Sequence, residues 1–230
     1  MKAKQNVLAI DGPSGSGKST VAKQLSHDLN LVYIDTGAMF RAIGYTLDQH
    51  GIDLKKNELS PADEKKITKT LDSIKFEYIP QNNLCIKVDN VDLTDIIREH
   101  RVSELASLVS KIPVVRNYLA LEQRKLAGKA ACVLDGRDIG TVIFPQARCK
   151  IFLTADPNER AQRRFEELQG RGEEEIDFEQ ILKDIKIRDE RDINRSIAPL
   201  KKADDAFEID TSKMTIDEVV DKIRQIYLSS

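Results

Sequence analysis

Short apolar runs alternate along the chain with segments of helical periodicity. Five of these runs have the length and composition of buried β-strands, at residues 7–10, 31–34, 131–134, 150–153 and 206–209. The segments between or after them place apolar residues three or four positions apart, as amphipathic helices do. This alternation predicts an α/β fold in which a parallel sheet is covered by helices on both faces.

The interval between the second and third predicted strands is too long for a simple crossover. Within it, β-rich segments at 74–78, 84–88 and 91–93 predict a small antiparallel sheet. Two helices, at about 95–111 and 114–127, would then return the chain to the core. We therefore expect a lobe inserted into the core.

A second excursion follows the fourth predicted strand and is rich in arginine. Its arginines are Arg160, Arg163, Arg164 and Arg171. Gly170 and Gly172 flank the last of them, and glycines beside a charged loop are typical of a hinged lid. A solvated helix-turn-helix surface is the alternative. The predicted boundaries are 1–36, 112–156 and 181–230 for the core, 37–111 for the lobe and 157–180 for the lid.

Charge and cysteine content limit the classes of protein to which this chain can belong. The 36 Lys and Arg residues against 38 Asp and Glu give a formal net charge of -2, which argues against a protein that mainly coats nucleic acid or an anionic membrane. Cys85, Cys132 and Cys149 lack the spacing of metal ligands, so we expect reduced thiols. No segment has the pattern of a signal peptide or a membrane span. We expect a cytoplasmic monomer that binds neither nucleic acid nor membrane.

A phosphate-binding motif lies between the first predicted strand and the helix after it. Residues 12–19 read Gly-Pro-Ser-Gly-Ser-Gly-Lys-Ser and match the template G-x-x-x-x-G-K-[ST]. In such a loop, backbone N–H groups bind phosphate oxygens, the lysine reaches the β- and γ-phosphates, and the final hydroxyl binds Mg²⁺. A chance glycine-rich turn is the alternative, against which the flanking strand and helix argue. We expect a nucleoside triphosphate and Mg²⁺ to be bound by Gly12, Pro13, Ser14, Gly15, Ser16, Gly17, Lys18, Ser19 and Thr20, with Ser19 on the metal.

Charged residues follow the second predicted strand, at the sheet edge that also carries the phosphate-binding loop. Asp35 and Thr36 end this strand, where a second substrate would lie. Arg41 is about one helical turn beyond Gly37, and its planar guanidinium suits a phosphate. An ordinary surface arginine is the alternative for Arg41.

A denser cluster follows the third predicted strand. Asp135 stands where a carboxylate can orient Mg²⁺ or its waters. Arg137 and Asp138 follow at once, and two acids that bracket an arginine would be compensated by a phosphate on Arg137 and a donor-rich group on Asp138. A self-contained salt-bridged turn is the alternative.

A stripe of charges is predicted near residue 190. Arg188, Arg191, Asp192 and Arg195 have the spacing i, i+3, i+4 and i+7, which places them on one helical face. Alternating charges on a helix are commonly a solvated surface. Three arginines around one acid are more than a solvated surface needs, so the pattern favours a binding role.

Four sequence blocks, at 10–18, 35–41, 135–141 and 188–195, resemble those of the bacterial cytidylate kinases, a family of nucleoside monophosphate kinases. The similarity runs almost end to end, and the last two blocks are more specific to that family than the phosphate-binding loop. The resemblance implies a P-loop kinase core, an inserted lobe that binds the nucleoside monophosphate, and an arginine-bearing helical lid.

The resemblance also implies roles for single residues. Arg41 and Arg137 would bind the phosphate of CMP, and Arg188 and Asp192 would contact its ribose. The cytosine would be surrounded by Ser107, Arg116, Asp138 and Arg195. The catalytic set would be Lys18, Arg137, Arg160, Arg164 and Arg188. Phe40 stands where relatives often carry tyrosine, so this chain lacks any polar contact of that hydroxyl.

The expected reaction is transfer of the γ-phosphoryl group of ATP, as its Mg²⁺ complex, to CMP, with dCMP as a further candidate acceptor. Alternatives within the enzymes are kinases for AMP, UMP or a small hydroxy acid. A GTP-dependent switch is the alternative from another class, and it would require an Asn-Lys-x-Asp run, which the sequence does not contain.

Overall fold

A computed structural model of the protein describes residues 5–56, 58–80, 85–170, 172 and 177–230. The chain divides into two units, one formed by Met1–Tyr33 with Ala130–Ser230 and the other by Ile34–Lys129. No helix within the described residues is long and apolar enough to cross a membrane.

The first unit is built on a five-stranded sheet, and its strands are β1 Gln5–Asp11, β2 Val32–Asp35, β6 Cys132–Gly136, β7 Ala147–Thr154 and β8 Phe207–Asp210. Their order in the sheet is β2-β6-β1-β7-β8. The β1–β6, β1–β7 and β7–β8 pairings are all parallel. Each strand overlaps a predicted apolar run, and the parallel sheet is confirmed.

Helices flank this sheet because their apolar faces cover its buried strands. Leu25 of the first helix and Ile223 of the last are fully buried in one cluster with Leu8 and Ile151 of the sheet. Removing such side chains from water supplies the main driving force for this packing. The helices are α1 Lys18–Asp28, α6 Pro157–Gly170, α7 Phe178–Asn194 and α8 Ile216–Ser229.

The second unit contains the predicted antiparallel sheet, and its strands are β3 Phe76–Ile79, β4 Cys85–Val88 and β5 Val91–Asp92. Their order in the sheet is β3-β4-β5. Its helices are α2 Thr36–Gln49, α3 Pro61–Ser73, α4 His100–Val109 and α5 Pro113–Ala127. The small antiparallel sheet predicted from the sequence is therefore confirmed.

Three details of the second unit differ from the sequence prediction. Helix α3 was not predicted, although Ser60 and Asp63 form a capping box around its start, a recognisable N-terminal signal. The predicted helix at about 95–111 is divided into a short 3₁₀ turn, Ile96–Arg98, and α4. Helix α5 belongs to this unit, where it packs against α2 and α3, so the unit extends to residue 129 instead of 111.

All three cysteines are free thiols, as expected. Cys132 and Cys149 are buried in β6 and β7. Burial raises the pKa of Cys132 to about 12, so its thiol stays protonated and unreactive at neutral pH.

Candidate active site

The phosphate-binding loop connects β1 to α1, and its backbone requires glycine at two points. Gly12 has φ 151°, and a Cβ atom there would lie 2.0 Å from the carbonyl oxygen of Leu153. Gly17 precedes α1 with φ 85°, in the left-handed region that side chains disfavour. This conformation turns the loop so that it ends at the N-terminus of α1, where backbone N–H groups can bind an anion.

Lys18 is buried at the base of this loop. Its ammonium group donates to the carbonyl oxygen of Pro13 and to Ser16 Oγ at 3.1 Å. Burial lowers the pKa of Lys18, and the nearby charges of Arg137 and Arg188 lower it further. Asp135 and Asp11 oppose this effect, but the charged form of Lys18 is still disfavoured, and an anion bound beside it would stabilise that form.

The hydroxyl of Ser19, in the first turn of α1, meets the carboxylate at the end of β6. Ser19 Oγ donates to Asp135 Oδ2 at 2.6 Å, and Tyr33 Oη donates to Asp135 Oδ1 at 3.0 Å. A hydroxyl and a carboxylate side by side are the hard oxygen ligands that Mg²⁺ prefers, so these residues fit the metal. Sequence reasoning predicted Ser19 and Asp135 but missed Tyr33, whose partner lies far away in the chain.

Arg137 and Asp138, in the turn after β6, form ion pairs with residues at the end of α7. Arg137 Nε donates to Asp192 Oδ2 at 2.8 Å, and Arg195 Nη2 donates to Asp138 Oδ1 at 3.2 Å. Both charged residues therefore pair with residues outside the turn, so the turn is not the self-contained salt-bridged turn that was the alternative. Burial alone would raise the pKa of Asp192, but the surrounding guanidinium groups, led by Arg137, outweigh it and hold that pKa below its usual value.

The predicted charge stripe on α7 is only partly a helical stripe. Asp192 is buried and Arg188 is half-buried, whereas Arg191 faces solvent. The helix ends at Asn194, and Arg195 is an extended C-cap with φ -64° and ψ 138°. Arg195 reaches Asp138 because the chain leaves the helix there, with its Nε held by the carbonyl oxygen of Ala198 at 2.6 Å.

Asp11, the last residue of β1, was missed as a candidate and lies beside the same turn. Its carboxylate accepts the backbone N–H groups of Ile139 at 2.8 Å and Gly140 at 2.7 Å. Burial raises the pKa of Asp11 to about 6, and Asp138 adds to this rise while the two N–H donors and Lys18 oppose it. An acid directly before the first glycine of the loop was the available sequence signal.

The predicted lid arginines have different environments. Arg160 is buried, and its guanidinium donates to the carbonyl oxygens of Ala155 and Ser14, each at 2.9 Å, and pairs with Asp189 at 2.6 Å. This places Arg160 against the backbone of the phosphate-binding loop.

Within the described residues, the other arginines of the predicted lid do not contact this loop in the same way. Arg163 donates to the hydroxyl and the carbonyl oxygen of Thr211. Arg164 pairs with Glu167 on the same helix. Arg171 lies outside the described residues.

In the second unit, Asp35 and Arg41 are brought together at the start of α2. Asp35 caps this helix by accepting the N–H of Ala38 at 2.7 Å, and its second oxygen pairs with Arg41 Nη2 at 3.3 Å. Thr36 is the buried first residue of the helix. The buried Nε of Arg41 has no hydrogen-bond partner within the described part of the chain.

Arg116 and Ser107, also in the second unit, are buried around α4 and α5. The guanidinium of Arg116 lies 5.6 Å from the centre of the Phe40 ring and donates to the carbonyl oxygen of Ser110 at 3.2 Å. Ser110 Oγ in turn donates to the carbonyl oxygen of Ser107 at 2.8 Å. Phe40 therefore supports Arg116 by a cation–π contact, for which no hydroxyl is needed.

The loop geometry, the Ser19–Asp135 pair and the arginine cluster on a parallel α/β sheet define the class of P-loop phosphotransferases. The family model described as cytidylate kinase matches residues 8–229. The cytidylate kinase of Halalkalibacterium halodurans is 48% identical over 94% of this chain and 94% of its own length. That of Caldicellulosiruptor bescii is 44% identical over 96% of this chain and 94% of its own length. The chain belongs to the cytidylate kinase family, and the resemblance of the four sequence blocks is confirmed.

Among solved structures, an uncharacterized protein from Eubacterium ventriosum is similar in fold. Its TM-score is 0.50 at 19% sequence identity, and the match covers 99% of this chain and 100% of that one. At this identity the likeness concerns the fold alone.

Proposed function

We propose that this protein transfers the γ-phosphoryl group of ATP to CMP, giving ADP and CDP. Membership of the cytidylate kinase family over residues 8–229 carries this proposal. The phosphate-binding loop supports the donor side, and the arginine-rich sites found separately in each unit suit an acceptor that is itself a phosphate.

On the donor side, we propose that residues 12–20 bind the triphosphate, with Lys18 on the transferring group. Ser19 and Asp135 would hold Mg²⁺, directly or through its waters, as their oxygen ligands suggest. The ion would neutralise charge on the phosphate oxygens when it is bound. Arg160 would act by fixing the loop backbone at Ser14, whereas Arg164 would exchange its pair with Glu167 for the transferring group.

On the acceptor side, Arg41 and Arg137 would bind the phosphate of CMP, beside Asp35 and Thr36. The buried Nε of Arg41, for which the described residues offer no hydrogen-bond acceptor, supports this role, since a buried N–H group without an acceptor is costly. No side-chain base is required, because the attacking phosphate oxygen is already anionic. The protein's own contribution would be positioning of the two phosphates and stabilisation of their charge.

For the nucleoside, Arg188 and Asp192 would contact the ribose, and four residues would surround the base. These four are Ser107, Arg116, Asp138 and Arg195. Asp138 is the candidate that selects cytosine, since a carboxylate accepts from the exocyclic amine of cytosine and repels the carbonyl oxygen of uracil. Arg195 donates to this carboxylate, which would help to orient it for the base.

The test is a coupled assay of ADP release with CMP, dCMP, UMP and AMP as acceptors. We expect the highest kcat/KM with CMP and little ADP release without an acceptor. For Asp138→Asn, the CMP-to-UMP ratio of kcat/KM should fall at least about tenfold, because a mixed donor and acceptor replaces a pure acceptor. A wild-type preference for AMP or UMP would overturn the proposal, and equal turnover without acceptor would favour a regulatory NTPase.

We further propose that the protein acts as a cytoplasmic monomer and that residues 157–180 form its lid. The near-balanced net charge of -2 supports small nucleotides, not nucleic acid, as its partners. Sedimentation equilibrium with and without ATP and CMP tests the monomer, and a species of twice 26.0 kDa would contradict it.

A further inference from the structure

Asp11 is a buried carboxylate with no role in the proposed chemistry, although it directly precedes the phosphate-binding loop. Both of its oxygens are used by a turn far along the chain, through the N–H groups of Ile139 and Gly140. This is the turn that immediately follows Asp138. Asp11 therefore joins the donor loop to the segment that carries the proposed base-selecting residue.

The turn itself has an unusual form. Residues Ile139–Ile143 make a π-helical turn, and the carbonyl oxygen of Asp138 accepts two N–H groups, from Val142 at 2.9 Å and Ile143 at 3.1 Å. Such turns are rare in proteins, and those that occur often lie at functional sites. Asp138 is thus fixed on one side by its carbonyl oxygen and on the other by the two N–H groups that Asp11 holds.

The surroundings of Asp11 do not offer it an easy ion pair. The charged groups that act on it are Asp138, which disfavours its ionised form, and Lys18, which favours it. The aliphatic stem of Lys150 covers Gly140, and a Cβ at Gly140 would lie 3.1 Å from Lys150 Cδ and 3.4 Å from Asp11 Oδ2. Burying the Asp11 carboxylate in such surroundings costs stability, so its presence calls for a functional explanation.

We propose that Asp11 is a positioning residue for acceptor selection: its carboxylate holds the turn at residues 138–143 in the form that aims the Asp138 carboxylate at the base. The inference rests on the proposed function. It adds that selection of the acceptor base depends on a residue of the donor loop's own strand.

The main test is Asp11→Asn, assayed with CMP and UMP and by ATP titration. The amide keeps the shape but replaces one acceptor oxygen by a donor, so Ile139 or Gly140 loses its partner. We expect the KM for CMP to rise about tenfold and the CMP-to-UMP ratio of kcat/KM to fall about tenfold. The Kd for ATP should change less than about threefold, because the loop's own bonds remain.

Gly140→Ala is the second variant, and it leaves the carboxylate in place. The added methyl group requires the neighbouring Lys150 side chain to shift by only a few tenths of an ångström. This variant is therefore expected to fold even if Asp11→Asn does not. It should lower the CMP-to-UMP ratio about threefold. Asp221→Asn, on the exposed face of α8, removes the same charge elsewhere and should leave all three quantities unchanged.

An unchanged CMP-to-UMP ratio in both folded variants would overturn the inference, as would a loss of ATP affinity equal to the loss for CMP. Failure of the proposed function would show separately, as a wild-type enzyme that does not prefer CMP. In that case the same ratios, measured on the acceptor it does prefer, decide the role of Asp11.

Discussion

Replacing Asp11 by asparagine should change how stability depends on pH. Burial raises the pKa of Asp11 from 3.8 to about 6 in the folded protein. A carboxyl group with a raised folded pKa gives its full stabilisation below the unfolded pKa and loses it as the pH rises through the folded value. The wild-type protein should therefore lose stability from this group between about pH 4 and pH 6.5, and Asp11→Asn should not.

The magnitude follows from the shift. A rise from 3.8 to about 6 corresponds to about 3 kcal/mol between full protonation and full ionisation. Between about pH 4.5 and pH 7, the part of this change that falls within the interval is about 2 kcal/mol. The free energy of unfolding of the wild type, minus that of Asp11→Asn, should decrease by this amount.

The assay is urea unfolding of both proteins at several pH values across that interval, followed by circular dichroism. Other groups with altered pKa values, such as Asp192, titrate in both proteins and cancel in the difference. Only the slope of the difference matters, since the substitution also changes hydrogen bonding at every pH. A difference that is flat, or that rises with pH, would refute the reasoning.

Three further substitutions test the site. Arg137→Ala should lower kcat/KM for CMP at least about 100-fold while the Kd for ATP stays nearly unchanged, and a parallel loss of ATP binding would contradict its assignment to the acceptor. Ser19→Ala should raise the Mg²⁺ concentration for half-maximal activity about tenfold, and Ser19→Thr is the control that keeps the hydroxyl. Phe40→Leu should raise the KM for CMP about two- to fivefold by removing the ring beneath Arg116, whereas Phe40→Tyr should not; equal effects of the two would exclude the cation–π contact.

The sheet and the phosphate-binding loop could be predicted because their signals are local. Each strand of the sheet is one apolar run, and the loop is a contiguous motif with a strand before it and a helix after it. The capping box at Ser60 and Asp63 is just as local, and reading it would have added α3.

The partners of the site residues could not be predicted in the same way, because they are distant in sequence. Asp11 and Ile139 are 128 positions apart, and Tyr33 and Asp135 are 102 apart. Nothing near Tyr33 in the chain indicates a carboxylate partner. The position of Arg195 is also a tertiary result, because helical spacing would have continued α7 past the residue where it ends.

Arg160 shows how a residue type can suggest one role while its surroundings suggest another. The resemblance to the cytidylate kinases implied that Arg160 belongs to the catalytic set. In the structure its guanidinium is engaged by Ala155, Ser14 and Asp189. The sequence prediction of a catalytic role stays untested, but the contacts favour support of the loop.

The three-way engagement of Arg160 has a consequence for building chimaeras from relatives. One guanidinium joins β7's end, the phosphate-binding loop and α7, so α6 cannot be exchanged alone without matching the acceptor at Asp189. Lysine could not replace it, since a single ammonium lacks the planar spread of donors that reaches all three partners. The segment that can be transplanted between family members therefore begins beyond the first turn of α6, or includes α6 and α7 together.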